Sequence, residues 1–441
     1  MTDHLQWLMK NGMPSERPDP VGLLTQQESQ RLPWLVPVRH SRMAESPFAF
    51  YRGAATIMAS DLSRAPHSGV NVQLCGDAHL LNFGFYGSPE RQLLFDINDF
   101  DETYPGPFEW DVQRLSASFI IAARSLGLGV KQQGQICRRG VRAYADAMAS
   151  LAAMPFLAMW VARLDLEQLI SEVNSHSLKS HLKDVVKAAK RRNSRQAVDK
   201  LCESMTDGAI RFRHEPPLIW RSELLAEEWG GGEQWLNRIS EMYGSYLQSI
   251  RPEMRRLLSQ FQLADAAIKA VGVGSVGTRC SVGVFVGDHP DDVLVLQGKQ
   301  AEASVLAPYL DTTSPAHQGE RVVQGQRLMQ SASDAFLGWT TTPEGHHLYW
   351  RHFRDWKGSV DMACLDADGL TDYARLCAWS LAKAHARSGD RSKISAVVCD
   401  PKSFARKVFE QAIEQADQAE RDHGLFLEAI AHGQIESSSV Y

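Results

Sequence analysis

Apolar residues keep helical spacing through most of the chain and switch to strand patterns in two stretches. Val112, Leu115, Phe119 and Ile120 begin a helix that Gly127 and Gly129 end. Further helices are predicted over 132–153, 156–174, 179–205 and 233–262, with Pro216-Pro217 breaking the run. A long helix is expected over 370–387, with Leu370, Tyr373, Leu376, Cys377, Leu381 and Ala384 on one face, and a last one over 402–431. Residues 1–40 read as partly irregular because Pro14, Pro18, Pro20 and Pro33 limit helix there, and a helix is expected through Met58. The first strand stretch is a pair, Phe83–Tyr86 and Gln92–Ile97. The second holds Ala267–Val271, Arg279–Val286 and Val293–Gln297, followed by two strands within 334–352 joined at Pro343-Glu344-Gly345.

Each strand stretch carries polar groups. In the first, Asp77 and Asn82 lie five residues apart, and Asp99 follows the second strand directly. Carboxylates and a carboxamide at strand ends suit a hard cation, which takes oxygen ligands. They also suit a base that accepts a proton from an attacking hydroxyl. Asp and Asn are common in turns for their own backbone bonds, so the pair alone would say little. Kinase-type phosphotransferases use this order: a base Asp, a metal-binding Asn five residues on, and a second metal-binding Asp after a strand. Asp77 is then the base, with Asn82 and Asp99 as metal ligands. Asp96, Asn98 and Asp101 could share or replace the role of Asp99. A calcium loop fits poorly, since Phe100 and Asp101 stand where it wants an oxygen and a glycine.

In the second stretch, Gly272, Gly274, Ser275 and Gly277 follow a strand. In a dinucleotide fold such glycines open a helix. Here the following Cys280–Val286 is a poor helix and a good strand. A strand, a glycine loop, a strand and a third strand bearing Lys299 form the kinase arrangement for covering phosphates. That arrangement needs an acid on a helix to pair with Lys299. Glu320 is the candidate and Glu302 the alternative, while Arg351 to Lys357 would connect the lobes, where an adenine could bond the backbone. Arg52 suits a phosphate or an internal carboxylate. The run Lys183, Lys187, Lys190, Arg191, Arg192 and Arg195 reads first as a solvated helix face. His385 reads as a helix-end residue.

Gly76-Asp77-Ala78-His79-Leu80-Leu81-Asn82 resembles the catalytic loop of aminoglycoside phosphotransferases and choline kinases, except that Cys75 stands where that family usually has His. Asp111 resembles the Asp opening the next helix in those enzymes. Ser46-Pro47-Phe48, Phe95 through Glu102, Gly106-Pro107, Gly272 to Thr278 and His385 to Asp390 together resemble a bacterial family known as domain of unknown function 2252. The glycine loop and Lys299 come about 190 residues after the catalytic loop, the reverse of ordinary kinases. The resemblance therefore implies a circularly permuted, two-lobed, protein-kinase-like α+β fold, with a mainly helical large lobe and a small antiparallel β lobe. Residues 1–70 would pack on the large lobe, 71–262 carry its catalytic loop, 263–355 form the β lobe, and 356–441 complete the large lobe.

Composition narrows the classes. The chain has 441 residues, 44% hydrophobic, and a formal net charge of −5, which gives no general pull toward nucleic acid. No apolar run approaches the roughly 18 residues of a membrane span, and the N-terminus shows no export signal. Seven scattered cysteines without Cys-x-x-Cys argue against a disulfide framework or zinc site. A cytoplasmic protein is expected, with ATP and Mg2+ as cofactors, and a nucleotide and an unidentified small molecule or protein acceptor as partners. Nucleotidyl transfer and a non-catalytic, nucleotide-binding scaffold are the alternatives. A metallohydrolase would need further His and Asn ligands, and no Gly-Asn-His occurs.

Overall fold

A computed structural model describes residues 17–438 apart from 206–208, 225–234, 271–275, 314 and 354–355. The chain is an α+β protein with several antiparallel sheets. Short sheets flank the Asp77 region: β1 (Asn71–Leu74) pairs with β4 (Tyr104–Pro107), and β3 (Leu93–Ile97) pairs with β2 (Phe83–Gly87) on one side and the two-residue β5 (Leu164–Asp165) on the other. After the pair β6 (Cys202–Ser204) and β7 (Ile210–Phe212), a six-stranded sheet is built from β8 (Ile219–Arg221), β9 (Gln262–Lys269), β10 (Cys280–Val286), β11 (Val293–Gln300), β12 (Gly338–Thr341) and β13 (His347–His352). Its order is β12-β13-β11-β10-β9-β8, with antiparallel neighbours throughout.

Burial on both faces explains why this sheet reads as contiguous apolar runs. Side chains alternate across a strand. Val282, Val284 and Val295 pack under Ala197 and Val198 of the helix Ser194–Leu201. Phe285, Leu294 and Leu296 face Ile239, Met242 and Tyr246 of the helix Trp235–Ser249. The described parts of 194–262 thus clothe and extend the sheet. β6 replaces the end of the helix expected over 179–205, and β7 and β8 fall where no element was expected, since three-residue strands carry no alternating pattern long enough to read. The expected helix over 156–174 is likewise interrupted, by β5, and the one over 179–205 divides at Arg192.

Four long helices make the other core: α1 (Phe108–Ser125), α2 (Val130–Ala153), α4 (Ala367–Ser388) and α5 (Pro401–Ala431), with α3 (Gln318–Met329) lying between this bundle and the sheet. α1 is buried from Phe108 to Ala123 without a break and α4 is nearly so, because each is wrapped by neighbours. Residues 20–28 and 36–44 are helical where irregular chain was expected. Pro20 and Pro37 sit in first turns, where the missing N–H is harmless. This segment packs on α5 through Leu24 and Phe426, and Leu32, Leu35 and Val38 reach Ala270 and Val276 beside the sheet.

β3 is tied to α4 by a buried ion pair. Lys383 Nζ lies 2.5 Å from Asp96 Oδ2, which also accepts from Ser331 N and Oγ. Asp96, one of the residues that could have shared the metal role, is therefore committed to the interior. Truncating one partner leaves a buried charge uncompensated. Lys383→Met should destabilise the fold by about 3–5 kcal/mol, read as a lower urea midpoint at unchanged slope; a midpoint equal to wild type would show that the pair carries no stability.

Candidate functional site

The loop after β1 is held from below by α1. Asp111, in the first turn, accepts Cys75 N at 2.6 Å and Gly76 N at 2.9 Å. His385 Nε2 lies 3.2 Å from Asp111 Oδ2, and its Nδ1 lies 2.8 Å from the hydroxyl of Tyr144. His385 thus braces the brace rather than facing a ligand. Gly76 has φ of +85°, and a Cβ there would stand 2.2 Å from the carbonyl oxygen of Glu102. Only glycine allows the loop to pass so close.

Asp77 follows. Arg114 donates to its Oδ1, at 2.8 Å from Nε and 2.7 Å from Nη2. Arg114 also bonds the carbonyl of Tyr51 and lies over that ring. His79 Nδ1 accepts from Leu81 N, so its Nε2 carries the proton, 3.8 Å from Asp77 Oδ2. Burial, reinforced by Arg52 and Arg114, lowers the His79 pKa well below the ordinary range and keeps the ring neutral. Asn82 Nδ2 donates to the Asp77 carbonyl at 2.7 Å, which leaves Oδ1 as the atom available to a cation.

The loop after β3 meets the sheet here. Lys299 Nζ lies 2.5 Å from Asp101 Oδ2, and the Tyr349 hydroxyl donates to Asp101 Oδ1 at 2.5 Å. Burial alone would lower the Lys299 pKa, but Asp101, Tyr349 and Asp99 hold it above the ordinary value. Burial also works against charge on Asp101, yet Lys299 and the Tyr349 hydrogen bond keep its carboxyl well below the usual range. Both Asp101 oxygens are engaged, by the Lys299 ammonium and the Tyr349 hydroxyl. Asp99 takes the opposite course. Burial, and then Asp101, push its carboxyl above the ordinary range against the pull of Lys299, Arg351 and Lys357.

Asp77, Asn82, Asp99 and Asp101 line one cavity of about 70 Å³ together with Arg31, Arg52, Glu102 and Glu302. Within it, Arg31 Nε, Arg52 Nε and Glu302 Oε1 are buried with no hydrogen-bond partner among the described residues. Such groups are costly unless something meets them. A wider cleft of about 1040 Å³ is lined by Asn98, Gln297, Arg351 and Phe353 among others.

The expected acid for Lys299 is corrected. Glu320 sits in the first turn of α3 with its N–H capped by His317, and among the described residues the ion-pair partner of Lys299 is Asp101. Glu302 lines the small cavity without reaching the ammonium. The α3 residue turned to the site is Arg321, which donates to the carbonyls of Thr103, Asp101 and Glu302. Adjacent helical residues point about 100° apart, so a one-residue error exchanges an acid for a base. Gly277 takes φ of +94° against Arg31, and its carbonyl accepts Leu32 N. Gly272, Gly274 and Ser275 lie outside the described residues. Of the basic run, Lys183, Lys187, Lys190 and Arg191 are exposed, whereas Arg192 donates to the Lys357 carbonyl and lines the wide cleft. Arg114 and Tyr349 were not anticipated. Arg114 was within reach, since it lies three residues after Asp111 and so on the same helix face.

Among the described residues, no group of three or more His, Cys, Asp or Glu side chains could hold a metal ion. Mg2+ makes smaller demands on protein: it keeps several waters and takes one or two carboxylates plus phosphate oxygens. Asp99 and the Asn82 carboxamide fit such a partial site. No helix among the described residues is long and apolar enough to cross a membrane.

A family model described as an uncharacterised protein conserved in bacteria, DUF2252, matches residues 31–429, and the chain belongs to that family. No curated protein and no solved structure matches the chain.

Glu102 makes one pH response calculable. Burial pushes its carboxyl up to about 7, although Val305 N–H bonds Oε2 and Arg321 lies near. The folded chain then holds a proton that the unfolded chain has released, so this group's contribution is full below pH 4.5 and is lost as pH rises through 7. Glu102→Gln should flatten the fall in melting temperature across that interval; parallel curves for variant and wild type would contradict the assignment.

Proposed function

We propose that this chain is an ATP- and Mg2+-dependent phosphotransferase of permuted, kinase-like design. The observation that carries the reading is the shared cavity. Asp77, Asn82 and Asp99 converge there, and Lys299 reaches its wall through Asp101 from 198 positions along the chain. Asp99 and Asn82 would hold a metal bridging phosphates, Asp77 would receive the acceptor proton, and Lys299 would anchor phosphate. Catalysis would rest on positioning and charge neutralisation.

Two further features support it. β9, β10, β11 with Lys299, and α3 follow one another in the order a phosphate-covering lobe requires. The C-terminal end of α4 abuts the start of β1: Ser388 Oγ accepts from Gln73 N, and Gly389 packs on Val72. A chain rejoined there would run from α4 through β1 into the Asp77 loop, which is the continuity that permutation demands.

The commitment of Lys299 favours a second reading, a nucleotide-binding scaffold. Its ammonium is 2% exposed and already neutralised by Asp101, so phosphate would have to compete for it. Two substitutions separate the readings. Asp99→Asn should weaken Mg2+-dependent nucleotide binding in calorimetry, because a neutral amide is a poorer ligand for a hard cation. Asp77→Asn should bind nearly as wild type yet transfer phosphate about 10²–10⁴-fold more slowly. Wild-type turnover by Asp77→Asn would rule out its role as base. Binding without any transfer in the native chain would establish the scaffold.

A further inference from the structure

The charged side chains that line the wide cleft are nearly all cations. Among the described residues, eight lysine and arginine side chains line it against one lining carboxylate, Asp334, and Arg251 Nε also lies 3.2 Å from Glu253 Oε1, in a chain whose formal net charge is −5. The Asp334 carboxylate is spent on backbone: Oδ1 accepts Phe336 N at 2.8 Å and Oδ2 accepts His352 N at 2.6 Å. Arg351 and Lys357 act on Asp99 and belong with the metal end. Five of the others come from unconnected segments: Arg91 from the β2–β3 turn, Arg192 and Lys200 from the helices beside the sheet, Arg251 from the start of Pro252–Leu258, and Lys269 from the end of β9.

Backbone strain gathers at the same place. Among the described residues, Arg91 and Trp356 are the two non-glycine residues with positive φ, +61° and +51°. The Arg91 guanidinium lies 4.5 Å above the Trp356 ring. Arg91 takes this conformation in the β2–β3 turn, where its N–H donates to the Ser88 carbonyl, and the turn fixes its side chain at the cleft wall. A cleft lined by one sign of charge focuses its field on opposite charge. Its volume of about 1040 Å³ suits a small molecule.

We infer that this cleft binds a small polyanion through phosphate or carboxylate groups that sit away from Asp99. The inference stands on the charge of the cleft and does not need the phosphotransferase reading. Nucleic acid is the other polyanion to consider. It is disfavoured because the cations line a recess rather than an open stripe along which a backbone could track.

The full chain, without magnesium, should be titrated in a calorimeter with inorganic tripolyphosphate, citrate and a 20-nucleotide single strand. Tripolyphosphate or citrate should bind saturably at one site per chain, more weakly as salt rises; which of the two binds tells phosphate from carboxylate. Arg91→Gln/Arg251→Gln should weaken binding at least tenfold, and Asp99→Asn should not. Lys200→Gln/Lys269→Gln serves as a second, independent variant, and melting curves would confirm that each pair folds. No saturable binding of either anion, or wild-type affinity in both double variants, would overturn the inference. So would tighter binding of the oligonucleotide that the same substitutions abolish. Failure of Asp99-dependent nucleotide binding would end the phosphotransferase reading while leaving this pattern untouched, so the two can fail separately.

Discussion

A buried ammonium must have a counter-charge, because stranding it in the interior costs several kcal/mol. Lys299 meets that condition through Asp101, at 2.5 Å, with Tyr349 bonded to the other carboxylate oxygen. The pair joins the third strand from the edge of the six-stranded sheet to the loop leaving β3. Much follows from this one link. Asp99, two residues before Asp101, is drawn under the sheet and into the small cavity. Its carboxyl rises because it is buried beside an ionised neighbour, while the neighbour falls because it holds the lysine. Arg321 seals the join by bonding three carbonyls, two on the loop and one beyond β11.

A second constraint comes from below. One turn of α1 supplies Asp111 to the backbone at Cys75 and Gly76 and Arg114 to the Asp77 side chain. The loop's shape and the aim of its carboxylate are therefore set by a helix that is itself buried all round. His385 and Tyr144 complete that support from α4 and α2. Rigid elements thus hold the acidic residues on one side, and the sheet brings lysine and arginine to the other. Asp101 lines the small cavity, and the wide basic cleft takes Arg351 and Lys357, which act on Asp99.

How much of this was legible depended on the length of each signal. β9 to β11 were visible because both faces are covered, so their residues form long apolar runs ending at a lysine. The positions of Asp77, Asn82 and Asp99 were visible because strands separate them at fixed spacing, and they do line one cavity. The partner of Lys299 was not visible. A helix acid was expected, yet the charge came from a loop 198 residues earlier, and nothing local in sequence reports so distant a contact. Glu320 and Arg321 are neighbours, and only the rotation of α3 decides which enters the site. β6 to β8 escaped because three-residue strands carry too little periodicity. The basic cleft escaped because its cations are scattered one or two at a time, and the one visible basic run contributes only Arg192 among its members.

The central claim is that a phosphate-bearing nucleotide is held between Asp99 and Lys299 and presented to Asp77. The most direct measurement is a crystal structure of the chain with Mg2+ and a non-hydrolysable ATP analogue. The account predicts the metal on Asp99 and Asn82, the terminal phosphate facing Asp77, and the Lys299 ammonium turned from Asp101 toward a phosphate oxygen. A nucleotide bound elsewhere, or one in the cleft with Lys299 still on Asp101 and no metal at Asp99, would contradict it.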